Sequence, residues 1–542
     1  MHRHVPKDHW CVTRADLADF ERRVWFALQS GTIQPTAQDE FDPRDRCIGP
    51  TIYSVNEQFI KPVTKAAGMM SWALMLHPDG LKCDLFITHA WQEGIFEFIR
   101  KVLHSWPKGT RNAYCCMLSN PQNLDIASLI CNPRSSPFAL ALLSASHMLV
   151  VPNRNESIYM RLWCAFEASL AYENNKVMQV ASAPTARRSL WWACLGVCSA
   201  ALCGALVGWL RHLAFFGPIT TPEDRVCCAV IIITFTGTVF LDNSAARQTC
   251  HLCGAAANAL YAMTADMLGP HHGSQSIATL HATIGVCGFI LAEVDRVRNI
   301  AVRFEAGLLR KGYAGSIRRA SCSVQSDADY ILSDIGMRTG EVDRAIQILM
   351  RAGMWNCSLR AAAEVGVDVK DASHIEFAVP PIVSAIHLYV IMALFKPQDW
   401  LCHCFAIVDL ALQLSWLISC VWLPKEKRAF GIKALKKISS AMLIDHMCIY
   451  IQRMVTSSTL NVFWATQAMA GEMDTVVLRL QGALYVGMAA LALSVLVAGI
   501  DKVARWPVCG RALAQFLLTR DWCPRRSSSR LALGPDEAAS TS

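Results

Sequence analysis

The sequence predicts an α/β domain followed by a multi-span α-helical membrane region. Short strand-type and helix-type runs alternate between residues 46 and 188, and long runs nearly free of charge recur after Ser189. Composition agrees: 53% of residues are hydrophobic and only 17% charged, against roughly 25% charged in a typical soluble domain.

The 542 residues suffice for several domains. The net charge is +8, with Lys and Arg clustered beside apolar runs rather than mixed with aromatics on a polar background. That pattern suits membrane flanks, with the lipid bilayer as partner, and argues against nucleic acid. The 23 cysteines are scattered, many inside apolar runs (Cys194, Cys198, Cys203, Cys227), and read as reduced, small apolar side chains rather than a disulfide framework. The first 25 residues hold no apolar core of signal-peptide length, so the N-terminal domain is expected in the cytosol.

Residues 1–45 read as a polar segment. Within it, Leu17, Phe20, Val24 and Leu28 mark one side of a short amphipathic helix, and residues 34–45 a linker. The α/β domain, residues 46–188, carries strands at 84–88, 113–118, 148–151 and 177–180, with helices at 95–103, 137–146 and 158–172 between them. Such alternation predicts a parallel sheet covered on both faces.

Membrane helices with short loops are expected over 189–291, in runs 190–210, 226–241 and 277–291. Trp191, Trp192 and Trp209 mark the ends of the first. A cytosolic helical insert follows (292–376), then a membrane hairpin (377–423), a basic amphipathic region (424–482), a last membrane helix (483–500) and a tail (501–542). The positive-inside rule requires an even number of crossings between Arg187-Arg188 and the Lys425–Lys437 cluster, so the estimate is five to seven spans.

Two motifs bear on function. Asp84-Leu85-Phe86-Ile87-Thr88-His89-Ala90-Trp91 resembles the opening strand of a Toll/interleukin-1 receptor (TIR) domain, and Arg161-Leu162-Trp163-Cys164-Ala165-Phe166-Glu167 resembles that family's "S-x-W-C-x-x-E" helix. The resemblance spans roughly residues 80–182. The joined pattern of these motifs with Ser136 to Ala145 is similar to membrane-tethered TIR-like proteins of dinoflagellate algae. It implies a flavodoxin-like topology, here shortened, because an apolar run begins soon after the fourth strand where the family has a fifth. It also implies signalling through self-association.

Some TIR domains cleave NAD⁺ at the nicotinamide–ribose bond. The resemblance puts Glu167 at their catalytic glutamate, with His89, Trp91 and Trp163 as substrate-binding residues. NAD⁺ is then a substrate, and no resident cofactor is implied. A carboxylate suits this chemistry because the transition state is oxocarbenium-like. Blander readings stand beside these. Trp163, Phe166 and Leu170 are spaced as a core stripe, Trp91 also suits packing, His89 also suits a capped loop, and Glu167 also suits a solvated carboxylate or a partner of Arg161.

Asp409, inside an apolar run, with His387 in the preceding run, raises a transporter or channel reading. Cys250-His251-Leu252-Cys253 near His271-His272 has ligand residue types but no defined second half, so no metal is expected. A non-enzymatic membrane scaffold is the remaining alternative.

Overall fold

The computed structural model describes residues 2, 4–213, 221–265 and 275–364, apart from three single positions, and shorter pieces between 377 and 518. Asp409 and His387 lie outside the described residues.

Six strands form one sheet: β1 (Val12–Thr13), β2 (Leu85–Thr88), β3 (Asn112–Cys115), β4 (His147–Val150), β5 (Val177–Val180) and β6 (Met354–Trp355). Their order is β1-β3-β2-β4-β5-β6. The four central strands are parallel and both edges pair antiparallel. The chain is thus a mixed α/β protein with a mostly parallel sheet, as its alternating runs predict. β3 ends at Cys115, earlier than the apolar run suggests. Residues Cys116–Ser119 wind into a helical turn, and the Cys115 N–H donates to Ser119 Oγ at 3.0 Å.

Side chains alternate across the sheet, as strand geometry requires. Phe86, Tyr114, Met148 and Met178 enter one core, and Leu85, Ile87, Ala113, Cys115 and Leu149 the other. Helices α1 (Arg14–Gln29) and α2 (Ile95–Ser105) supply the second core. α1 starts at a capping box in which Thr13 and Asp16 satisfy each other's backbone amides. Helices α3 (Pro137–Ser144) and α4 (Leu162–Glu173) cover the first. The single helix expected over 158–172 is broken at Arg161, whose extended backbone (φ −101°, ψ 124°) separates a 3-10 turn from α4.

Four long helices follow: α5 (Arg187–Leu213), α6 (Thr221–Phe240), α7 (Ser244–Ala265) and α8 (Gln275–Arg310). α7 packs on α5, α6 and α8, and α8 also packs on α5. Gly204 of α5 lies so close to the Ala256 backbone that a side chain there has no room. One helix among the described residues, Arg187–Arg211, is long and apolar enough to cross a membrane, and only 22% of its most apolar stretch is buried. Leu202, Leu206 and Val207 on it are exposed. A buried core helix of a soluble protein does not present such a surface, which calls for an apolar cover.

The chain then returns to the sheet. α9 (Gln325–Ile335) and α10 (Thr339–Ala352) pack against α4, and β6 closes the edge beside β5. The segments that read as a polar N-terminus and a helical insert therefore each contribute an edge strand. Their strands are two residues long, too short to show a period. Residues 432–438 are helical, with Ile432, Leu435 and Ile438 buried; Lys437 is buried too, rather than facing solvent with its neighbouring bases, and its ammonium lies 5.5 Å from the Phe516 ring centre.

Candidate active site

The loop leaving the carboxyl end of β2 carries His89 and Trp91, two of the residues singled out by sequence. β2 lies between β3 and β4, so the connections leaving β2 and β3 run in opposite directions and the order reverses beside β2. In open α/β sheets the crevice at such a switch point is where ligands bind. Thr88, the last residue of β2, pairs with Val150 of β4 at that point.

Glu167 lies on the second turn of α4 and reaches this end of β2. It is 7% exposed, and its Oε2 has no hydrogen-bond partner among the described residues. Burial raises its pKa from the ordinary 4.5 to about 7, while the neighbouring Thr88 hydroxyl and Arg161 guanidinium pull the other way. A solvated helix carboxylate is therefore not what the fold makes of this residue. Of the alternatives, proximity to Arg161 is retained.

His89 begins the loop after β2 and is buried at 6% exposure. Its ring centre lies 4.7 Å from that of Phe98, and its Nε2 lies 3.3 Å from Cys116 Sγ. Desolvation, then the charge on Arg161, lower its pKa to about 3, so the imidazole is neutral at physiological pH. Trp91 is half-buried and donates from Nε1 to the same Cys116 sulfur at 3.2 Å, with its ring 5.3 Å from Tyr53. Tyr53 in turn hydrogen-bonds the Arg161 side chain. Burial pushes the Cys116 thiol up to about 12, which keeps it protonated.

His89, Trp91 and Glu167 thus come together around Cys116, Arg161 and Thr88. Trp163 does not join them. Its ring packs on Phe138 at 5.6 Å and on Phe166 at 6.0 Å, in the core between α3 and α4. Its spacing with Phe166 and Leu170 already signalled that role.

Cys116 and Tyr53 are the neighbours that sequence reasoning missed. Cys116 was hidden inside an apolar run that reads as strand through Leu118, and Tyr53 lies in a stretch with no motif. The downstream segment also touches the site: Leu162 N–H donates to Ser321 O at 2.9 Å and Ser321 N–H to Met160 O at 2.7 Å, fixing the entry to α4.

In the bundle, His251 Nδ1 lies 2.7 Å from Glu293 Oε2, which Arg296 also contacts. His271 and His272 lie outside the described residues, and no group of three metal-ligating side chains occurs among the described ones. No family model, curated protein or solved structure matches this chain.

Proposed function

We propose that this chain is a membrane-anchored intracellular signalling protein whose TIR-like domain hydrolyses NAD⁺ at the nicotinamide–ribose bond, with Glu167 as the catalytic carboxylate. One observation carries the reading: a desolvated carboxylate with an unpaired oxygen stands at the switch point of a doubly wound sheet. The order β3-β2-β4-β5, with the first parallel strand inside, is consistent with TIR topology. An antiparallel β6 occupies the place of the family's fifth strand.

In the proposed reaction the bond from ribose C1′ to the nicotinamide nitrogen breaks, and nicotinamide leaves with the bonding electrons as a neutral ring. Water adds to C1′ and releases a proton, giving ADP-ribose. Ionised Glu167 stabilises the positive charge that develops on the ribose. In a dry site this interaction is far stronger than in water. Neutral His89 and the Trp91 indole offer a polar edge and an aromatic face to the bound nucleotide.

The membrane assignment extends the one long apolar helix found among the described residues to several spans. Ser189 and Trp192 of α5 line the same cavity as Glu293 and Arg296 of α8. The apolar runs 190–210 and 277–291 therefore begin and end at a common level, as neighbouring spans do. The positive-inside rule then puts the α/β domain in the cytosol.

A second reading, a non-enzymatic scaffold acting through self-association, is favoured by one observation: Glu167 and His89 are both less than a tenth exposed, so a nucleotide enters only if the 89–94 loop moves. The test is NAD⁺ consumption by the purified full chain at high protein concentration, with nicotinamide release as readout. The full chain is required because a fragment ending at residue 188 lacks β6. Turnover that falls at least about 100-fold in Glu167→Gln supports the hydrolase. No turnover by folded, self-associated protein favours the scaffold.

A further inference from the structure

Lys101 on α2 has no exposed side-chain surface, and its ammonium is surrounded by carboxylates. It lies 3.0 Å from Glu97, 3.1 Å from Glu305 and 3.6 Å from Glu93, and donates to Pro152 O at 2.7 Å. Arg154 closes the group by pairing with Glu97 at 2.6 Å. Burying a charge is expensive unless it is paired, so these contacts hold their backbones tightly.

The chain positions of these groups matter more than their number. Glu93 belongs to the loop after β2, which carries His89 and Trp91. Pro152 and Arg154 belong to the loop after β4. Together these loops flank the switch point. Glu305 belongs to neither. It stands near the C-terminal end of α8, a 36-residue helix whose N-terminal half holds the 277–291 apolar run and which packs on the candidate span α5. The same end of the helix grips the second loop again: Lys311 Nζ donates to Arg154 O at 3.0 Å, and Ser157 N–H donates to Lys311 O at 2.8 Å.

We propose that residues 305–311 form a clamp through which the position of α8 controls the order of the two loops flanking the candidate site, with Lys101 as the positioning residue that joins them. A continuous helix of this length spans about 54 Å and moves as a unit. A shift at its apolar end therefore withdraws Glu305 and Lys311 from the loops. The clamp can open without leaving Lys101 unpaired, because Glu97 at 3.0 Å and Glu93 at 3.6 Å remain beside its ammonium when Glu305 withdraws. Events at the membrane thereby reach a site whose loops otherwise stay closed. The two states differ by specific contacts, as a conformational switch requires.

The inference rests on the reading of these loops as the walls of the site, but its test reads backbone exchange rather than turnover, so it stands or falls separately from NAD⁺ hydrolysis. Hydrogen exchange followed by mass spectrometry is compared for the wild-type full chain, Glu305→Gln and Lys311→Ala. Glu305→Gln is close in shape to the native residue, and Lys311 is exposed, so Lys311→Ala serves should the first variant fold poorly. Glu305→Gln is expected to speed exchange about tenfold in peptides covering 89–94 and 152–157, leaving β3 and β5 unchanged. Lys311→Ala is expected to speed only 152–157. Unchanged loops in both variants, or equal acceleration across all strands, overturns the clamp.

Discussion

Met178 on β5 pairs with Trp355 on β6, and all of α5 to α8 lies between them in sequence. The sheet is therefore complete only after the chain returns from the helical bundle. Trp355 is fully buried and its ring centre lies 5.3 Å from that of Tyr172 on α4. Trp355→Ala should cost about 3–5 kcal/mol. A fragment of residues 45–188 should unfold at lower denaturant than the full α/β domain, because it lacks both edge strands. Chemical denaturation followed by circular dichroism checks both outcomes.

The raised pKa of Glu167 predicts a stability change of definite sign. Its folded value, about 7, exceeds the ordinary 4.5. Between these values the folded state holds the extra proton, so stability falls as pH rises from 4.5 to 7 and the loss persists above. The penalty is about 3 kcal/mol at most. Glu167→Gln should then melt higher than wild type at pH 8 and match it at pH 4.5. Equal differences at both pH values would remove the argument.

The same ionisation sets the pH profile of the proposed reaction. Only the carboxylate stabilises an oxocarbenium-like ribose, so kcat/KM for NAD⁺ should rise through an apparent pKa near 7 and level off above pH 8. A profile rising near pH 4.5 would mean that the free enzyme holds Glu167 in water.

His89 acts in the opposite direction on stability. Its folded value, about 3, lies below the ordinary 6.5. The neutral buried imidazole therefore contributes stability that is present above pH 6.5 and lost as pH falls toward 3. His89→Gln should flatten the acid limb of an unfolding curve measured from pH 7 to 3.

Gly94 ends the candidate loop and begins α2. A Cβ there would lie 2.5 Å from Ile48 O, which accepts from Phe96 N–H at 3.0 Å. Backbone cannot retreat as a side chain can. Gly94→Ala should cost about 1–3 kcal/mol and perturb Trp91 fluorescence, whereas Gly109→Ala, with open space around it but a φ of +91°, should show only the local backbone cost.

The four parallel strands were legible in the sequence because a strand buried on both faces is a largely apolar run, and Leu85–Ile87 and Met148–Val150 are such runs. The long apolar helix at Arg187–Arg211 was legible for the same reason, since hydropathy is a local property. Glu167, His89 and Trp91 could be nominated from motif order, and the fold brings them together. Trp163 was separated from them by packing, for which its spacing with Phe166 was a local clue.

What the tertiary structure alone decided depends on partners distant in sequence. Two-residue edge strands such as Val12–Thr13 and Met354–Trp355 carry no periodic signal and exist only because β3 and β5 offer unpaired backbone. Lys101 reads as an ordinary helix base, and its burial among Glu97, Pro152 O and Glu305 depends on groups that arrive from the loop after β4 and from α8. Residue type and local spacing determine which segments are strands, helices and apolar runs. The charge state of Glu167 and the pairing of Lys101 follow from desolvation and Coulomb contacts, which exist only once distant segments meet.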